Sequence, residues 1–148
     1  MRTAKKEYPL TILSLSDLAE TLARFGCEHF AGLLEVKRNF TDTELLRISP
    51  EGFAYLLKRI LKEINGKATL NLSITLSFPY VVIKLSSNGM PPISESLLHL
   101  AEQSGFSTLA GECGEFVLTA KTIKNPSLFV YAASTDELLC RILDAFYA

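Results

Sequence analysis

A chain of 148 residues is the size of one domain and can bury a single core without disulfides or a structural metal. Apolar residues make up 48% and charged residues 21%, which excludes a disordered chain, and 15 basic against 16 acidic residues leave no basic footprint for a nucleic-acid partner. The longest apolar stretches, such as 79–83 and 127–133, fall far short of the ~20 residues that cross a bilayer, and no signal-peptide run follows the charged N-terminus, so a cytoplasmic protein without membrane insertion is expected.

Ser16 and Asp17 precede a segment, 18–33, with apolar residues at Leu18, Leu22, Phe25 and Phe30, which predicts a helix with a polar cap. Two short strands follow at 34–40 and 43–48, on either side of the polar turn Thr41-Asp42. Ser49-Pro50-Glu51 is a helix start: a capping hydroxyl, a proline at the first helical position and an acid in the first turn. Phe53, Leu56, Leu57, Ile60, Leu61 and Ile64 then mark one helical face, ended by Asn65-Gly66. Alternation of Leu70, Leu72, Ile74 and Leu76, followed after Phe78-Pro79 by 80–85, predicts an antiparallel hairpin. A turn-rich break at 86–92 leads into a helix at 94–103 and a glycine-containing loop at 105–114. The run 115–123 reads as helix up to Asn125-Pro126, and 127–131 as strand. The last segment, 136–147, has helical spacing in Leu138, Leu139, Ile142 and Leu143, while its place after a strand suits a closing hairpin. Leu56, Leu57, Ile60, Leu61, Leu72, Ile74, Val82 and Leu85 are the expected core.

Cys27, Cys113 and Cys140 are widely separated, with only His29 and His99 as nitrogen ligands, so no zinc site is expected and each cysteine reads as a free buried thiol. The histidines read as surface or packing residues. No Ser-His-Asp order or paired-carboxylate motif offers a catalytic residue.

The order of elements from about Leu15 onward, with the opening phrase Leu15-Ser-Asp-Leu-Ala-Glu-Thr-Leu22 and the run Ile48-Ser-Pro-Glu-Gly-Phe-Ala-Tyr-Leu-Leu-Lys-Arg-Ile-Leu61, resembles the ATPase domain of sensor histidine kinases, of the GHKL or HATPase superfamily. The resemblance implies an α+β fold of Bergerat type: a two-layer α/β sandwich, its mixed sheet covered by helices on one face. It also implies that 136–147 is mainly strand. Residues 1–14 are then an N-terminal extension and 15–148 the domain. That extension is too short for the helical hairpin that carries the phosphoacceptor histidine in the family, so autokinase activity is not expected.

The family holds ATP at three places, and each is altered here. Its helix presents two Asn one turn apart, the second helping to hold magnesium; Arg59 and Glu63 fall there, residues that read equally as an i,i+4 ion pair on a solvated face. Its Asp-x-Gly-x-Gly turn, whose Asp binds the adenine amino group, corresponds to Ser87-Asn88-Gly89-Met90-Pro91. Gly89 is retained and expected at positive φ, Ser87 lacks the charge that strengthens the bond, and Pro91 supplies no N–H. The phosphate loop corresponds to Gly111-Glu-Cys-Gly-Glu-Phe116, where Gly111 and Gly114 remain and Glu112 and Glu115 oppose an anion. The helix 49–64 is expected beside the 87–91 turn, facing the Gly111 loop.

These losses imply a degenerate member of the superfamily, a pseudokinase without catalytic residues, metal or cofactor, acting in bacterial two-component signalling through a protein partner, self-association included. The alternative is a working ATP-binding kinase domain, using ATP and magnesium, of a two-component sensor or an anti-sigma type regulator. An unrelated α+β domain is the third reading.

Overall fold

The structure, a computed structural model, describes residues 8–30, 33–41, 44–64, 68–109, 111, 114–123 and 134–148. The expected strand at 127–131, Glu112 and Cys113 lie outside them.

Among the described residues four helices each start on a serine cap. In α1 (Leu15–His29) the Ser14 hydroxyl accepts from the Asp17 amide, so the cap lies two residues before the expected Ser16. Ser49 caps α2 (Pro50–Glu63) as the sequence predicts, Ser94 caps α3 (Glu95–Gln103), and Ser134 caps α4 (Thr135–Phe146). A cap contributes about 1 kcal/mol, whereas each fully buried Leu, Ile or Phe contributes about 1.5–3 kcal/mol. Phe53, Leu56, Leu57 and Ile60, all with no exposed surface, therefore hold α2 in place, and the cap sets its first residue.

Among the described residues seven strands form two sheets. β1 (Thr11–Ser14) pairs antiparallel with β3 (Leu45–Ile48). β1 lies in the stretch set apart as an extension, yet Leu13 within it is fully buried. The main sheet runs β2-β4-β5-β7-β6, made by β2 (Leu34–Asn39), β4 (Leu70–Ser77), β5 (Tyr80–Ser86), β6 (Ser107–Leu109) and β7 (Glu115–Lys121). The β2–β4 pair is parallel and the others antiparallel, giving the expected mixed sheet. Register puts Leu72, Leu85 and Phe116 side by side, then Ile74, Ile83 and Leu118, and all six are buried. Ser73, Thr75, Lys84 and Thr119 share the other, polar face. Helices cover the apolar face, so the molecule is the two-layer α/β sandwich expected from the sequence.

Four expectations are corrected. The run 115–121 is strand, not helix: a central strand buries residues on both faces, and Phe116, Val117 and Leu118 in succession hide its alternation. The segment 135–146 is helix, not strand, its stripe Leu138, Leu139, Ile142, Ala145 and Phe146 packing into the core. Arg141 fixes it with two hydrogen bonds to Glu51, 2.8 and 2.6 Å, and Thr135 Oγ1 donates to Asp17 Oδ1. Val82 faces away from the core, which takes Val81 and Ile83 instead, and Leu61 is only partly buried. Cys27 and Cys140 are exposed on α1 and α4 rather than buried. In a Cys113→Ser background both thiols are expected to react with a disulfide reagent before any denaturant is added. Reaction of either only on unfolding would contradict the orientation of its helix.

Candidate functional site

On α2, Tyr55, Lys58, Arg59 and Lys62 fall within about 100° of arc, opposite the stripe that enters the core. Arg59 Nη2 donates to Ser96 Oγ on α3 at 2.7 Å. The i,i+4 ion pair to Glu63 is not formed among the described residues, and Glu63 points to solvent. Between the two helices lies a concavity of about 380 Å³, lined by that α2 face, by Tyr8, and by Ser96, Leu100 and Gln103 of α3. The Tyr8 and Tyr55 rings meet edge to face at 5.7 Å. Burial first, then the neighbouring Tyr55, raises the Tyr8 phenol above its ordinary range, against the opposing pull of Arg59.

Ser87 follows the last residue of β5 and is buried. Its amide donates to the Gly114 carbonyl at 3.1 Å, its hydroxyl accepts from the Gly89 amide at 3.2 Å, and its carbonyl accepts from the Met90 amide at 3.3 Å. The hydroxyl that was to meet an adenine amino group thus already closes its own turn. Positive φ belongs to Gly105 and Gly114, at 96° and 85°, and not to Gly89 as expected. A tight turn of type I closes with negative φ at both central residues. At Gly114 a Cβ would meet the Ser87 carbonyl oxygen at 3.1 Å, so glycine there serves both the backbone and the close approach.

Pro91 lines a second concavity, about 640 Å³, with Met90, Ile93, Leu98, Leu109, Gly111, Gly114 and Phe116 among its walls. The β6–β7 connection carries both Gly111 and Gly114 and leads into a strand. A phosphate loop draws on the free N–H groups and dipole of a helix N-terminus, and no helix follows these glycines before Lys121. Glu115 also departs from expectation, because Lys84 Nζ stands 3.4 Å from its carboxylate and offsets its charge.

The two concavities lie on different sides of α3. Ser96, Leu100 and Gln103 share one face and Leu98 lies about 200° around the helix. Ser87, Gly89, Pro91, Gly111 and Gly114 gather at one end of β5 and β7, whereas Arg59 meets α3 instead of the Gly111 loop. The Tyr55, Lys58, Arg59 and Lys62 stripe was readable from helical spacing alone. Tyr8 and Ser96 were not, because only tertiary packing brings them to it. Among the described residues no cluster of three or more His, Cys, Asp or Glu could hold a metal ion, and no helix is long and apolar enough to cross a membrane.

Solved structures of similar fold include ATP-binding or catalytic domains of histidine kinases. The ATP-binding domain of PrrB from Mycobacterium tuberculosis has a TM-score of 0.54 at 17% identity, covering 78% of this chain and 98% of that one. The histidine kinase domain of the E. coli osmosensor EnvZ gives 0.52 at 9% identity, covering 88% and 100%. A nucleotide-free catalytic domain of histidine kinase ThkA gives 0.53 at 12% identity, covering 76% and 96%. The chain therefore has the fold of histidine kinase ATPase domains, as the sequence resemblance implied. No protein-family description matches it, and no curated protein is similar in sequence.

Proposed function

We propose that this chain is a degenerate histidine-kinase-type ATPase domain that acts in bacterial signal transduction through protein contacts in the cytoplasm, with ATP binding weak or lost. The observation that supports the reading most is that Gly111 and Gly114 lead into strand β7, so that these two glycines open no helix N-terminus to a phosphate. Arg59, where the resemblance implies the first of the two Asn, is turned to Ser96, and the Ser87 hydroxyl is engaged by Gly89. A charge-assisted hydrogen bond contributes about 1.5–3 kcal/mol. Each 1.4 kcal/mol is tenfold in affinity, so two such losses move binding from micromolar to millimolar.

Thermal unfolding with millimolar magnesium-ATP tests this. A site of micromolar affinity would gain about 4 kcal/mol at a thousandfold excess of ligand, whereas millimolar affinity leaves at most about 0.4 kcal/mol and a rise in Tm of about 1–2 °C. A rise of several degrees that Gly114→Asp removes would restore the working ATP-binding reading.

A further inference from the structure

The concavity between α2 and α3 carries more positive charge than the fold requires. Lys58, Arg59 and Lys62 line it, and among the described residues no carboxylate side chain does. The ion pairs among the described residues place Glu28, Glu51, Glu115 and Asp136 against other cations. Arg59 bonds a neutral hydroxyl, and Lys58 donates to a main-chain oxygen of Ala148, the last residue of the sequence, at 3.1 Å. Like charges on adjacent turns of one helix repel, and a concave wall of one sign focuses the field on whatever enters it.

We propose that this concavity receives a carboxylate from an acidic segment of a partner protein. Arg59 supplies the planar two-donor fork, Lys58 and Lys62 the flanking charge, and Tyr8 and Tyr55 an aromatic wall for the methylene stem of a Glu side chain. The inference rests on the reading of the chain as a protein-contact domain and names the chemistry of the partner. A phosphate fits less well. Phosphates are held by converging backbone N–H groups, but the Leu97 amide at the start of α3 donates to Ser94 Oγ at 3.2 Å, and Leu98 to the Ser94 carbonyl at 3.1 Å. Glu95 in the same first turn opposes a doubly charged group more than a singly charged one. Cations at the mouth of such a site also hasten encounter with an acidic partner, an effect that salt removes.

The probe is a fluorescent hexaglutamate peptide titrated at low ionic strength and read by anisotropy, with hexaglutamine as control. Saturable binding of hexaglutamate alone is expected, weakened tenfold or more by Arg59→Ala and severalfold by Lys58→Ala or Lys62→Ala. Arg59→Lys, which keeps the charge and removes the fork, should lose most of the binding that Arg59→Ala loses while its melting curve stays that of the parent. Absence of saturable binding, equal affinity of the parent and both Arg59 variants, or displacement by inorganic phosphate more readily than by free glutamate peptide would overturn the proposal. Magnesium-ATP thermal shifts on the same samples report separately: stabilisation by ATP would remove the proposed function, whereas failure of the peptide alone would remove only this site.

Discussion

Leu118→Ala is expected to cost about 3 kcal/mol and its neighbour Thr119→Ala less than about 0.5 kcal/mol. Leu118 is fully buried between Ile83 on β5 and Thr108 on β6, and removing a buried leucine leaves a cavity as well as lost transfer energy, about 2–5 kcal/mol together. Thr119 lies on the polar face, where substitutions have small effects. A helix over this run would instead bury positions three and four apart and leave Leu118 facing away from Phe116 and Ala120. For a chain of this size the larger loss lowers Tm by roughly 6–12 °C. Equal effects at the two positions would contradict strand β7, and with it the statement that Gly111 and Gly114 lead into a sheet.

Gly52→Val should have a comparable effect for a different reason. Gly52 is the third residue of α2, its amide donating to the Ser49 cap at 3.1 Å, and α2 packs there against the end of α3. A Cβ on Gly52 would overlap Ser104 Oγ and lie 2.9 Å from Ser104 Cβ. Ser104 cannot turn aside, since its hydroxyl donates to the Leu100 carbonyl at 2.7 Å and its backbone oxygen accepts from the Ser49 amide at 2.9 Å. Overpacking of this kind costs about 1–3 kcal/mol, and the branched side chain adds strain, so about 3 kcal/mol is expected. Ser104→Gly in the same chain removes the obstructing atoms and should recover part of the loss. Chemical denaturation of the four members of this cycle measures the coupling; strict additivity would mean that the helices do not meet through this pair.

The contrast between these positions shows what the sequence could and could not say. α2 was legible because Ser49, Pro50 and its apolar stripe agree with one another. The β4–β5 hairpin was legible because one face is polar and alternation survives. β7 was not, since burial on both faces erases the period that separates strand from helix, and β6 is only three residues long. In α4 the helical spacing was present, and the family's order of elements, carried over to a segment that departs from it, outweighed it. The site was half legible. The sequence showed which residues differ from the nucleotide motifs, but not that α3 stands between Arg59 and the two glycines, because that depends on how helices pack on the sheet.

The chain has the fold of histidine kinase ATPase domains, and Arg59 lines a different concavity from Pro91, Gly111 and Gly114. The measurement that bears on this most directly is a titration of isotope-labelled protein with magnesium-ATP, followed by the backbone amide resonances of Arg59, Ser87, Gly89, Gly111 and Gly114. The account predicts no saturation of shifts at these amides below millimolar ATP. Saturable shifts at micromolar ATP that include both Arg59 and Gly114 would contradict it, because one ligand would then span two groups of residues held apart by α3.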